Sequence, residues 1–280
     1  MQTTMVSIGD TSLAVQTYGS GKPLVLLHAF PLDHTMWHRI LPLANHLRLI
    51  IPDQRGFGLS TEGYSKTKPL SSIMQLADDV AKLLNALHIE EPAVIAGISM
   101  GGYVAQHVAA RHPEKVSHLI LIDTKFSADT PEARANRSDP AATVGRVGQK
   151  VLADAMVPNP LAATDEARSK PGRVENEQLL RRLIGTQSIA TIQAALGALA
   201  DRPDMSKTMQ HFEKPVLLIC GKEDTITPPV VMEAMEKLLP QGQLVIVSEA
   251  GHLPPLEAPT VFHEAVLSFL GHLKNTGARS

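Results

Sequence analysis

Cysteine occurs once in the 280 residues, as Cys220, so no internal disulfide can form. That fits a reducing compartment, and the expectation is a cytoplasmic protein. Aromatic residues make up only 4%, which argues against a large stacking platform and leaves Trp37 and Phe126 as loose pocket candidates. Charge of one sign is also missing. A net charge of −2 gives no broad attraction to nucleic acid or anionic lipid. No apolar run approaches bilayer length. The opening "MQTTMVSIGD" lacks the basic-then-apolar pattern of a secretory leader. What remains is 44% hydrophobic and 19% charged, the balance of a folded globule.

Short β-branched runs alternate with longer amphipathic stretches. "LAVQTYG", "PLVLLHA", "LRLIIPD", "PAVIAGI", "VSHLILID", "KPVLLICG" and "GQLVIVSE" read as strands between turn residues. Their nearly continuous apolarity predicts a sheet covered on both faces. Residues 70–88 and 257–272 carry apolar side chains at helical spacing. The expected architecture is α/β: an open, mostly parallel, doubly wound sheet with ligands at the carboxyl ends of its strands. Residues 125–205 break the alternation and look helical. They are expected to form a helical cap, leaving 1–124 and 206–280 as the core.

Within the strand–turn–helix stretch "VIAGISMGGYVAQ", Gly97-Ile98-Ser99-Met100-Gly101 satisfies G-x-S-x-G. A serine nucleophile on a sharp turn needs small residues two positions either side, so that strand and helix approach without collision. A plain glycine-rich bend would show the same spacing, and the flanking strand and helix favour the nucleophile. Serine also needs a base oriented by a third group. His252, in "SEAGHLPPLEAP", follows a strand and precedes the last helix. His107, His112, His263 and His272 fall in predicted helices and His118 in a strand. His34 and His38 stand at i, i+4 without a visible third metal ligand. For the acid, Asp224, its neighbour Glu223 and the strand-end Asp123 are all open. An acyl intermediate also needs oxyanion donors. The Met100 N–H directly follows the serine, and the Phe30 N–H lies in the turn "HAFP" after an early strand.

In order along the chain, "HAFPLD", "DQRGFGLS", "GISMGG", "GKEDTITPP" and "AGHLPPLEAP" resemble the α/β-hydrolase superfamily over nearly the whole length. The resemblance implies Ser99 as nucleophile, His252 as base, Asp224 as orienting acid, and Phe30 and Met100 as oxyanion donors. It makes Asp53 and Arg55 structural. "LDHTMW" and "TPEARANR" are similar to the arylesterases, cofactor-free haloperoxidases (perhydrolases) and 3-oxoadipate enol-lactonases. Ala29 departs from the glycine more usual there. Phe30-Pro31 matches members that accept peroxide, so perhydrolysis alongside hydrolysis is expected. Serine at 99 sets the chain apart from similar enzymes with an aspartate nucleophile. The expected function is a serine carboxylesterase acting on a small ester, without metal or organic cofactor and without a nucleic-acid or membrane partner. A lactonase is the runner-up, and a non-turnover ligand receptor on the same scaffold is the alternative from another class.

Overall fold

The computed structural model describes residues 3–61, 69–157, 159–170 and 172–271. One 8-stranded sheet contains β1 (Thr3–Ser7), β2 (Ser12–Tyr18), β3 (Pro23–Leu27), β4 (Arg48–Pro52), β5 (Ala93–Ile98), β6 (Val116–Ile122), β7 (Val216–Gly221) and β8 (Gly242–Val247). The spatial order is β1-β2-β4-β3-β5-β6-β7-β8. The β1–β2 and β2–β4 pairs are antiparallel, and all later pairs are parallel. The helices are α1 (Ile73–Ala86), α2 (Met100–Arg111), α3 (Pro131–Val147), α4 (Gln149–Met156), α5 (Asp165–Ser169), α6 (Arg173–Thr186), α7 (Ile189–Ala200), α8 (Ser206–Met209), α9 (Pro229–Leu238), α10 (Pro254–Glu257) and α11 (Pro259–Phe269).

The continuous apolar runs have a simple cause. Successive side chains alternate across the sheet, and each face has its own core. Leu24, Leu26, Val94, Ala96, Ile120 and Ile122 join one cluster with Trp37 and Phe262. Val25, Leu27, Ile95, Leu119 and Leu121 join the other, with α1 and α2. A third, small cluster of Val144, Ile192 and Leu196 holds α3 to α7.

Several boundaries sharpen the sequence reading. α1 starts at Ile73 because Ser72 accepts the Gln75 N–H at 3.1 Å. The helix expected over 257–272 is α11, Pro259–Phe269, opened by Pro259 in its first turn, with the short α10 before it; His272 lies outside the described residues. His112 is not in a helix interior but caps α2 before Pro113. Several elements were not foreseen, α9 and α10 among them. β1 buries only Val6, too weak an alternation to read, and a 3-10 helix spans His34–Asn45, capped by Asp33. Between Ile122 and Val216 the described residues hold helices and no strand. Among the described residues no single helix is long and apolar enough to cross a membrane.

Candidate active site

The sheet brings four loop residues to the carboxyl ends of neighbouring strands. Ser99 follows β5, Asp123 follows β6, Asp224 follows β7, and His252 follows β8. The turn carrying Phe30 follows β3, which pairs with β5.

Ser99 stands at φ +53°, ψ −113°, a sparsely populated region for a side chain with a Cβ. Its neighbours permit that conformation. A Cβ at Gly97 would collide with the Gly101 carbonyl, and one at Gly101 with the Leu27 carbonyl. The Ser99 backbone is bound on both sides: its N–H donates to Ile122 O at 2.9 Å, and its carbonyl accepts from Tyr103 N–H at 3.1 Å. Thr124 Oγ1 adds a third bond to that carbonyl at 3.0 Å. Ser99 is the N-cap of α2, yet its side chain makes no capping bond. The capping serines Ser72 and Ser188 spend their hydroxyls on the backbone. Strain at Ser99 points its hydroxyl elsewhere.

His252 is 5% exposed. Its Nδ1 lies 2.7 Å from Asp224 Oδ2, which fixes the tautomer that leaves Nε2 as the basic nitrogen. Its loop is held from two sides. The His252 N–H donates to Pro160 O at 2.7 Å, and the half-buried Glu257 carboxylate accepts from Gly251 and Ala162 N–H at 2.9 and 2.7 Å. Asp224 also accepts from the Thr227 hydroxyl at 2.6 Å and from the Ile226 and Thr227 N–H groups at 2.7 and 3.1 Å. Burial alone would raise the Asp224 carboxyl, but bonds from His252 and Thr227 hold it well below the usual carboxylate range.

Asp123 is the second carboxyl. It is fully buried at φ +41°, and one oxygen accepts the Gly221 N–H at 3.0 Å. Burial, then the Asp224 charge, pushes its carboxyl well above the ordinary range. The other oxygen is buried without a hydrogen-bond partner, a setting that favours the neutral acid beside the Asp224 charge. Cys220 lies in the same group, and burial pushes its thiol up, consistent with an inert thiol.

Ser99, His252, Phe30 and Met100 line one cavity of 520 Å³. Met100 is the first residue of α2, where helix N–H groups have no intrahelical acceptor. The Phe30 turn is closed by a Leu32 N–H to Ala29 O bond of 2.9 Å. Neither Trp37 nor Phe126 lines the cavity, which corrects the expectation for both. Trp37 packs on Phe262, 6.3 Å between ring centroids, inside one core of the sheet, and Phe126 lies in the other core with α2. The aromatic wall comes instead from Phe30 and Tyr103. Tyr103, one helical turn beyond Ser99, was recoverable from i, i+4 spacing. Arg137 closes "TPEARANR" and Thr227 lies within "GKEDTITPP", but neither was singled out, and Arg202 carried no sequence signal. His34 and His38 do not converge. His34 Nδ1 and N–H both meet Asp53 at 2.7 Å, while His38 Nδ1 meets Thr35 O at 3.2 Å. Asp33, His34 and Asp53 do group together, but Asp53 is occupied capping the surrounding turn, with Leu59 N–H at 2.8 Å. Arg55 forms a buried pair with Asp79 at 2.7 Å.

Residues 22–259 match the family model of the alpha/beta hydrolase fold, and the chain belongs to that family of hydrolases. It is 30% identical over 276 residues to a pimeloyl-(acyl-carrier protein) methyl ester esterase of Sodalis glossinidius, covering 92% of this chain and 97% of the relative. A thermophilic esterase from Thermogutta terrifontis, solved with malate bound, superposes with a TM-score of 0.87 at 35% identity, covering 97% of this chain and 99% of that one. An enol-lactonase from Burkholderia xenovorans LB400 shares the fold at 24% identity, with a TM-score of 0.82 over 93% of this chain and 97% of its own.

Proposed function

We propose that the protein is a serine carboxylesterase that cleaves small esters through an acyl-enzyme on Ser99. The observation that carries this reading is a strained, uncapped serine sharing one cavity with a histidine whose Nδ1 is tied to a buried aspartate. His252 Nε2 takes the Ser99 proton as Oγ attacks the ester carbonyl. The imidazolium that forms keeps its Nδ1–H on the Asp224 carboxylate, which stabilises that charge. The Met100 and Phe30 N–H groups hold the oxyanion, each removal costing about 2.7–4 kcal/mol in comparable sites. His252 then protonates the departing alcohol, and water activated by the same base releases the acid. The Sodalis and Thermogutta relatives, both named esterases, support this class of reaction.

The test is a panel of p-nitrophenyl esters and γ- and δ-lactones, with and without hydrogen peroxide, using wild type and Ser99→Ala. Sustained turnover of an open ester, lost in the variant, supports the esterase reading. Turnover confined to lactones would replace it with a lactonase. Binding without turnover would make the chain a receptor on this scaffold. Peracid above the uncatalysed background reports on the Phe30-Pro31 turn, whose proline, with its fixed φ, sits beside the oxyanion donor.

A further inference from the structure

The cavity's chemistry is lopsided. Most of its wall is apolar, supplied by residues such as Leu152, Met156, Leu180 and Leu196. Besides His252, Arg137 is the one ionisable cation or acid among the described residues that line it, Tyr103 aside. Arg137 sits in α3, and its Nε donates to Asp129 Oδ2 at 2.5 Å. The same carboxylate, 1% exposed, also meets Arg202 at 2.7 Å and Lys125 at 3.2 Å. Three cations therefore share one acid. Burial would raise the Asp129 carboxyl, but Arg202 and Arg137 hold it well below the ordinary range, so it is ionised and the group keeps an excess of positive charge. Of the other described acids flanking the cluster, Asp204 accepts the Ala128 and Ser206 N–H groups at 3.4 and 2.8 Å, and Asp201, next to Arg202 in the chain, pairs with Arg134.

The contrast with the molecule's other buried arginine is informative. Arg55, 1% exposed, meets two carboxylates, Asp79 at 2.7 Å and Asp10 at 3.0 Å. Arg202 is as deeply buried, with a side chain 2% exposed, but its further partners are neutral carbonyls: Leu199 O at 2.7 Å and Ser127 O at 3.2 Å. Its Nε is buried without any partner. Arg202 and Asp129 form the buried pair, while Arg137 and Lys125, each 26% exposed, leave the surplus positive charge open to an incoming anion. The cluster also reaches the chemistry. Arg202 lies over the Tyr103 ring, 4.1 Å from its centroid, and Tyr103 lines the cavity one helical turn from Ser99, about 6 Å between Cβ atoms.

We infer that the cavity selects esters bearing a second, anionic group, a carboxylate set a short chain away from the scissile ester and received by Arg137, with Arg202 and Lys125 behind it. The natural substrate class is then the monoester of a small dicarboxylic acid. The inference rests on the esterase reading of the same cavity. Arg137 presents a planar fork suited to a carboxylate, and the apolar wall accommodates the connecting methylenes.

The test compares monomethyl esters of the C4 to C8 dicarboxylic acids with the corresponding dimethyl esters. A dimethyl ester turned over by wild type and not by Ser99→Ala secures the esterase reading independently. On that footing, the best monomethyl ester is expected to exceed its dimethyl partner in kcat/KM by at least about tenfold, and Arg137→Gln to bring the ratio near one. Arg137→Lys, which keeps the charge, is expected to retain part of the preference. Calorimetry on the Ser99→Ala protein with glutarate gives a readout free of turnover. Binding that weakens at least about tenfold in Ser99→Ala/Arg137→Gln supports the subsite. A wild-type ratio of one or below, or a ratio and glutarate affinity untouched by Arg137→Gln, overturns it even while the neutral ester is still cleaved.

Discussion

The two walls of the cavity are built differently. The sheet wall places Ser99, His252 and the Phe30 turn at ends of hydrogen-bonded strands, with the Ser99 and His252 backbones themselves hydrogen-bonded. The helical wall, from α3, α4, α6 and α7, presents mostly apolar side chains with Asn136 and Arg137, and it is packed by side chains: α4 and α6 share one main core, α7 the other, and a small cluster ties α3 to α7. The first wall fixes atoms to within a hydrogen bond, as bond making requires. The second offers shape and charge, which select what enters. Changes to the sheet wall should abolish turnover, and changes to the helical wall should reorder substrates.

The largest effect is expected for Ser99→Ala. Loss of a triad nucleophile lowers kcat on the order of 10⁶-fold, readable with an activated ester, and residual wild-type rates would remove the sheet wall from the chemistry. Asp224→Asn keeps the shape but replaces the charged acceptor that fixes the His252 tautomer, for about 10⁴-fold in kcat. Thr227→Val deletes the 2.6 Å bond to Asp224 and should lower kcat about tenfold with KM little changed, since a bond to a charged group is worth about 1.5–3 kcal/mol. An unchanged kcat would show that the backbone donors alone hold Asp224.

A separate effect, on stability and not on turnover, concerns pH. The native state binds the Asp123 proton more tightly than the unfolded chain does, because burial and Asp224 raise its carboxyl from 3.8. As pH rises above about 4, the unfolded state releases that proton while the native state keeps it. Wild-type stability therefore falls, by up to about 1.4 kcal/mol per pH unit, until the native carboxyl ionises. Asp123→Asn keeps an acceptor for Gly221 but has no proton to lose. Its Tm relative to wild type should climb from pH 4 to pH 8, and a constant difference across that range would refute a protonated Asp123.

The same contrast decides what the sequence reveals. β3, β5, β6 and β7 were legible because burial on both faces leaves no choice but apolar residues. Ser99 was legible because its backbone conformation demands glycines at fixed offsets. Asp224 and His252 follow strands that were themselves readable. β1 escaped because an edge strand needs one buried side chain, not a pattern. Trp37 was misplaced because nothing local says which face of the sheet a ring will cover. The Asp129, Arg137 and Arg202 cluster was invisible because its members are 8 to 73 positions apart and meet only through tertiary packing of α3 against α7.

One measurement reaches the central claim directly. Wild-type protein is mixed with p-nitrophenyl butyrate, quenched in acid during turnover, digested and analysed by mass spectrometry. The account predicts a butyryl adduct on the peptide containing Ser99, absent from Ser99→Ala, with a burst of nitrophenolate near one equivalent when deacylation is slow. Full turnover with no adduct under the same quench, or an adduct on another residue, would contradict it.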